Sequence, residues 1–276
     1  MDDADDTPLF DIEVRLLLEA VYLRYQHDFR DYALASLRRR MRQAMARFDC
    51  ERLTQLQDRV LREPALFAQM LQYFTVQVSE MFRDPAYFRA LREQVVPLLR
   101  TYPSIKLWVA GCSTGEEVWS LAIVLAEEGL LERSILYATD INPEALRQAE
   151  TGVYPLDRVA LFSTNYLAAG GRGSLSDHCI SAYDGVVFDR RLKKQIVFAD
   201  HSLATDSVFA EVHLISCRNV LIYFNAALQN RAVGLFRDSL VHRGFLGLGS
   251  KETLQFGAHA RGFEALAPAQ RIYRRL

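Results

Sequence analysis

Residues 105–116, Ile-Lys-Leu-Trp-Val-Ala-Gly-Cys-Ser-Thr-Gly-Glu, decide the fold. Ile105 to Ala110 is a short apolar run closed by a glycine, the pattern of a buried strand. Gly111 turns the chain into a tight loop, and Gly115 opens a helix. Strand, glycine loop and helix in that order form a nucleotide-cofactor loop. A diphosphate-binding loop leaves the helix N-terminus free for the anion, and here Glu116 and Glu117 occupy it. Two carboxylates repel a pyrophosphate and attract a cationic, phosphate-free nucleotide such as S-adenosylmethionine, which carries an ammonium and a sulfonium. The loop therefore points to methyl transfer rather than hydride or phosphoryl transfer. Glutamate in a first helical turn is also an ordinary N-terminal device, so the loop alone leaves both readings open.

The next strand, Ser134-Ile-Leu-Tyr-Ala-Thr-Asp140, ends in an acid where a doubly wound fold places the carboxylate that takes the ribose hydroxyls. Asp140 follows Gly115 by 25 residues (140 minus 115), close to the roughly 20 expected of such a unit. Asp140 is equally placed to cap the helix that starts at Asn142-Pro143, and the two roles are compatible.

A chain of 276 residues, 50% hydrophobic, can bury a sizeable core and divides into a catalytic and a smaller domain. A net charge of −1 gives no bulk attraction to nucleic acid, so no nucleic-acid partner is expected. Cys50, Cys112, Cys179 and Cys217 lie far apart, with no Cys-x-x-Cys pair and no secretion signal, as befits free thiols in a reducing cytosol. The six histidines show no metal-ligand spacing, and no metal is expected. Apolar runs such as Ser120 to Ala126 fall short of the roughly 20 residues that cross a bilayer, so a soluble, cytoplasmic protein without membrane insertion is expected.

From Ile12 to Leu99 apolar residues recur at three and four, as in Leu16, Ala20, Leu23 and Leu53, Leu56, Val60, broken at Pro64, Pro85 and Pro97. That predicts an all-helical bundle. From Ile105 onward strands alternate with helices: strands 105–110, 134–139, 212–216, 244–249 and 271–275, helices 115–129, 143–150 and 225–241. The alternation predicts a mostly parallel sheet with helices on both faces. Residues 160–200, with Gly170-Gly171-Arg172-Gly173 and Tyr183-Asp184-Gly185, read as an inserted hairpin subdomain. Between Ser36 and Arg62 eight arginines (38, 39, 40, 42, 47, 52, 59, 62) face three acids, Asp49, Glu51 and Asp58. Such a run is either a solvated surface or the footprint of an anionic partner.

Four segments together resemble a family. Ser79-Glu-Met-Phe-Arg-Asp-Pro-Ala-Tyr-Phe88, Ala110-Gly-Cys-Ser-Thr-Gly-Glu-Glu117, Ala138-Thr-Asp-Ile-Asn142 and Cys217-Arg-Asn-Val-Leu-Ile-Tyr-Phe224 are similar, in order and spacing, to the chemotaxis receptor methyltransferases of the CheR type. The resemblance covers nearly the whole chain. It implies an all-helical N-terminal domain, residues 1–78, followed by a Rossmann-like class I methyltransferase domain, residues 79–276, with a small β-subdomain inserted at about 160–200. It further implies transfer of methyl from S-adenosylmethionine to glutamate carboxylates on the cytoplasmic helices of bacterial chemoreceptors, leaving S-adenosylhomocysteine and glutamyl methyl esters that set adaptation. The implied cofactor contacts are Gln77, Ser79, Arg83, Gly111, Glu116 with Glu117, Asp140, Ser202, Leu203, Asn219 and Val220. Gln77, Ser79 and Ser202 stand where the family has Asn, Thr and Asn, and Val118-Trp119 replaces Pro-Tyr. Each polar replacement keeps a hydrogen-bonding group with altered reach.

A glutamate acceptor is already an anion at neutral pH, so the chemistry asks for alignment and no general base. Arg83, whose guanidinium can hold a carboxylate in a bidentate fork, and Tyr223, beside the strand end, are the candidate catalytic residues. Tyr223 also suits a core or cofactor-lining place, and Cys217 has no purpose as a nucleophile toward an anionic acceptor. The resemblance implies as partner a chemoreceptor's acidic helices, for which Arg38, Arg39 and Arg42 are the expected docking face, and a monomer is expected. The competing reading is a cofactor-binding, receptor-docking regulatory module with little or no transferase activity.

Overall fold

A computed structural model describes residues 7–75, 77–182, 185–254 and 257–276. The chain forms two compact units. One contains residues up to 76 together with Ile222–Arg231, and the other holds Gln77–Leu221 and Ala232–Leu276.

In the helical unit, α1 (Thr7–Tyr25), α2 (Leu34–Arg47), α3 (Leu53–Arg62) and α4 (Pro64–Phe74) pack around a common core. The three-and-four spacing does the work: Val14, Leu17, Leu18 and Val21 of α1 are buried with Leu53, Leu56 and Val60 of α3. Pro64 does not break a helix but starts one, at the first position, where its missing N–H costs nothing. Phe29 stacks on Phe74 with ring centroids 4.5 Å apart. Phe224 and Leu228, from the distant 222–231 segment, are buried members of this unit.

The second unit opens with α5 (Pro85–Ala90), which widens into a π-turn at Leu91–Val95 and continues as α6 (Val96–Leu99). The wide turn lies just before Pro97, whose ring and missing N–H are incompatible with a regular i−4 bond. Tyr87, Phe88, Leu91, Val95 and Leu99 join the core of the sheet. The expectation of one bundle from 12 to 99 is therefore corrected, because periodicity marks an apolar face without saying which core it meets.

There follow β1 (Ile105–Ala110), α7 (Glu116–Glu127), β2 (Ser134–Asp140), α8 (Pro143–Thr151), β3 (Val153–Pro155), α9 (Val159–Ala168), β4 (Cys179–Ala182), β5 (Gly185–Phe188), α10 (Arg190–Lys193), β6 (Ile196–Asp200), β7 (Val212–Cys217), α11 (Ala226–Ser239), β8 (Leu240–Leu248), β9 (Phe263–Ala267) and β10 (Ile272–Arg275). The main sheet runs β6-β2-β1-β7-β8-β10-β9. β6, β2, β1, β7 and β8 are parallel, and β10 is antiparallel to both its neighbours. Strand order reverses between β1 and β7, which puts the ligand crevice of an open α/β sheet outside their carboxyl ends.

The insertion is a three-stranded antiparallel sheet, β3-β5-β4, with α9 beside it. Its expected limits move at both ends. Residues 159–168 form a helix, not a hairpin arm, and Ile196–Asp200 is an edge strand of the main sheet, in register with β2 from Leu136↔Ile196 to Asp140↔Asp200. Tyr183 and Asp184 of the expected turn lie outside the described residues. Among the described residues, no helix is long and apolar enough to cross a membrane.

Candidate functional site

Gly111 leaves β1 at φ +73°, and a Cβ there would come within 2.5 Å of Val220 Cγ2. Only glycine suits that dihedral and that approach. Gly111 N and Cys112 N both donate to the Thr139 carbonyl, at 2.8 Å each, which staples the loop to the end of β2. Ser113 N donates to Asp140 Oδ2 at 2.8 Å, and Asn142 N to Oδ1 at 2.9 Å. The cap of α8 is Asn142, whose Oδ1 accepts from Glu144 N and Ala145 N, so the capping alternative for Asp140 is corrected. Asp140 is buried, and burial pushes its carboxyl above the ordinary aspartate value, with the Asp200 charge adding and the N–H bonds from Asn142 and Ser113 opposing.

The two glutamates diverge. Glu116 has no exposed surface; its Oε1 accepts from Arg158 Nη1 and its Oε2 from Thr114 Oγ1, each at 2.7 Å. The second guanidinium nitrogen of Arg158 donates to the Ser79 carbonyl. Glu117 instead accepts from Ser216 Oγ at 2.6 Å and from Arg218 Nη1 at 2.9 Å. Arg218 Nη2 reaches Asp84 Oδ2 at 2.7 Å and the Arg83 carbonyl at 2.8 Å, and its guanidinium lies 4.1 Å over the Tyr87 ring. Burial works against the charge of Arg218, but Glu117, Tyr87 and Asp84 outweigh it and hold its pKa above the ordinary arginine value. Glu117 is thus a strut that ties β7 and the 83–88 segment to α7.

Gln77 Oε1 accepts from Ser113 Oγ at 2.5 Å, which brings the segment leading into the first motif onto the glycine loop. Arg83 is half-buried, with Nη1 on the Val78 carbonyl at 3.1 Å. The turn carrying it has Phe82 and Asp84 at positive φ, 51° and 57°, held in place by Phe82 N on Ser120 Oγ at 2.9 Å. After β6, His201 N approaches the Asp140 carbonyl at 3.4 Å, and Ser202 Oγ accepts from Ala204 N, fixing the turn that bears buried Leu203. Asn219, at φ +61°, donates its N–H to Glu252 Oε2 at 3.0 Å. The residues 77, 111, 113, 116, 140, 201–203 and 219–220 therefore gather where β1, β2, β6 and β7 end. Tyr223 falls in the helical unit, 5.4 Å from the buried Arg40 guanidinium.

The sequence places Arg218 beside the strand end of the reactive centre without a partner, and it marks neither Arg158 nor Glu252. Arg158 and Arg218 pair with acids 42 and 101 residues away, spacings with no periodic signature. The Arg-Asn pair at 218–219 was a visible signal in the fourth motif; Arg158, in the insertion, gave none.

Asp140, Glu116 and Gln77 bring acceptor oxygens to the strand ends, and the arginines beside the loop, Arg158 and Arg218, are already neutralised by Glu116 and by Glu117 with Asp84. An acceptor-rich strand end suits a ligand with ribose hydroxyls and positive charge, as S-adenosylmethionine has. The fold and this site define a class I, S-adenosylmethionine-dependent methyltransferase. Residues 77–269 match the family described as CheR methyltransferase, SAM binding domain, and residues 12–75 match CheR methyltransferase, all-alpha domain. A Pseudomonas putida protein, provisionally named as the methyltransferase Cher3, is 57% identical over 96% of this chain and 97% of its own. The chemotaxis protein methyltransferase of Listeria monocytogenes is 30% identical over 70% of this chain and 71% of its own. Chemotaxis protein methyltransferase 2 of Pseudomonas aeruginosa is 30% identical over 72% and 71%. The chain belongs to the CheR methyltransferase family, whose cofactor is S-adenosylmethionine and whose named members methylate in chemotaxis.

Proposed function

We propose that this protein methylates glutamate side chains on the cytoplasmic helices of bacterial chemoreceptors, acting in the cytoplasm as a monomer. The observation that supports the reading is that the thiols and phenols around the loop and β7, those of Cys112, Cys217, Tyr87 and Tyr154, are all buried. Burial, first of all, pushes the Cys112 and Cys217 thiols and the Tyr87 and Tyr154 hydroxyls above their ordinary values, so all four stay protonated at neutral pH. None of them is a base or a nucleophile. Such a site favours an acceptor that needs no deprotonation, and a glutamate with a pKa of about 4.3 is one.

Bound, S-adenosylmethionine supplies an electrophilic methyl. That chemistry would convert the acceptor carboxylate to a methyl ester and release the cofactor's sulfur as the neutral thioether of S-adenosylhomocysteine. The chain's part is alignment. Asp140 would hold the ribose hydroxyls, the Ser202–Leu203 turn and Val220 would border the base, and Arg83, whose guanidinium meets the Val78 carbonyl and no carboxylate among the described residues, would fork the acceptor.

The test is transfer of radiolabelled methyl to purified receptor. Label lost as methanol on mild base and mapped to glutamate supports the reading. Label that resists base, or that sits on nitrogen or carbon, ends it.

A further inference from the structure

Glu116 is fully buried, whereas the Arg158 side chain that neutralises it is 32% exposed. An unpaired carboxylate in that position is costly, so Glu116 keeps a cation at all times. Its Oε2 is held from within the loop by Thr114, and its Oε1 by Arg158. A ligand cation therefore reaches this carboxylate along the direction that Arg158 now fills. Arg158 is the partner with a path outward: its side chain is partly exposed, and besides Glu116 its guanidinium lies 4.8 Å over the Phe162 ring and, among the described residues, donates to a backbone carbonyl, that of Ser79. Arginine also belongs to the inserted subdomain's approach, just after β3, and not to the loop that its partner serves.

We propose that Arg158 is an internal stand-in for the cofactor's ammonium: it occupies Glu116 in the free enzyme, yields that carboxylate to the cationic end of S-adenosylmethionine, and turns its released guanidinium toward the methyl-accepting carboxylate. The proposal rests on the cofactor role of Glu116 and, for its last clause, on the receptor-glutamate reading. Cofactor then favours acceptor binding, because Arg158, the acceptor's second cation beside Arg83, is unavailable until the exchange has occurred. A self-competing group lowers apparent affinity by the fraction of enzyme it leaves competent, a cost that disappears when the group is removed.

Two measurements test it. In the wild-type protein, the rate at which phenylglyoxal modifies Arg158, read by peptide mass spectrometry, should rise on saturation with S-adenosylhomocysteine. It should not rise with 5′-methylthioadenosine, which lacks the amino-acid end. An unchanged or slower rate with S-adenosylhomocysteine overturns the exchange. By calorimetry, Arg158→Gln should bind S-adenosylhomocysteine as well as wild type or about threefold tighter, since the competitor is gone. Weakening by about tenfold or more would instead mark Arg158 as a fixed brace. In the methylation assay, Arg158→Gln should raise the acceptor KM about tenfold, with Arg158→Lys recovering part of it. An unchanged KM removes the acceptor clause. Labelling and calorimetry involve no acceptor, so a wild-type protein that methylates no receptor glutamate would defeat the functional proposal and leave the exchange to be decided by those two readings.

Discussion

Both oxygens of Asp140 already accept a backbone N–H, from Ser113 and Asn142, before any ribose hydroxyl is added. Asp140→Ala should weaken S-adenosylmethionine binding by about 2 kcal/mol, roughly thirtyfold, and should also destabilise the fold by stranding two donors. Asp140→Asn, which keeps one acceptor, is the cleaner probe, with about tenfold weaker binding expected by calorimetry. Unchanged affinity in both would take Asp140 out of the site. Burial raises the Asp140 carboxyl, so folding disfavours its charged form: that cost is absent below the unfolded value of 3.8 and complete above the raised folded value. Cofactor affinity, which needs the carboxylate, should fall as pH drops through that raised value. At Gly111 the dihedral and the Val220 contact make separable demands. Gly111→Ala should cost about 1–3 kcal/mol in urea unfolding, and adding Val220→Ala should restore only the steric part. Full restoration would mean the positive φ carries no strain. Gly111, Glu116 and Asp140 were legible in the sequence because strand, loop and helix are contiguous there. Their partners were not: what neutralises Glu116 comes from the insertion, and the strut on Glu117 comes from the far end of β7.

The C-terminal end of α7 shows how the inserted subdomain is fastened. Glu127 accepts from the Tyr166 hydroxyl of α9, the Arg172 N–H and the Arg92 guanidinium, with His178 Nε2 3.6 Å away. Burial pushes this carboxyl up, but His178, Tyr166 and Arg92 together hold it down at about 2. A depressed carboxyl gives stability that is present above its unfolded pKa and lost on acidification, here between 4.5 and about 2. Wild-type melting temperature should therefore fall across that window, while Glu127→Gln, lower at neutral pH, should be flatter through it. A variant that keeps the wild-type acid slope would show that other carboxylates govern it. The insertion was legible as an interruption of the α/β alternation, yet its parts differ from the expected hairpin: 159–168 is a helix and 196–200 a strand of the main sheet. The 170–173 glycines suggested hairpin turns, whereas they end α9, where a Cβ on Gly171 would lie 2.4 Å from the Tyr166 ring. β6, short and preceded by two lysines, lacks the punctuation that would assign it to the main sheet, and β9 has no counterpart among the expected strands.

For the molecule as a whole, a net charge of −1 conceals a local excess of arginine in α2 and α3. The sequence made this excess visible but could not sort it. Arg40 turns inward, where it donates to the Phe74 carbonyl, and burial lowers its pKa; Arg38 is paired with Asp11 on α1. Arg39 and Arg42 remain exposed, the latter with its guanidinium 4.9 Å over the Phe10 ring. The docking proposal is therefore best tested by Arg39→Glu with Arg42→Glu, which leaves the Arg38–Asp11 pair intact. Receptor methylation should fall chiefly through KM, the wild-type rate should decline with salt as charges are screened beyond about 10 Å at 0.1 M, and S-adenosylhomocysteine affinity should not move. Wild-type kinetics from the double variant at low ionic strength would leave these arginines as a solvated face. The helical unit, finally, is assembled from two separate stretches of chain. Phe224 and Leu228 are buried in it, and the Tyr223 carbonyl accepts from Ala33 N at 2.7 Å, although all three residues follow β7 of the other unit. It is consequently not a cassette. Recombination or truncation at the 76–77 boundary would carry away most of the unit and leave its remaining piece behind as bare apolar surface, so exchange of this region between relatives has to include residues 222–231 as well.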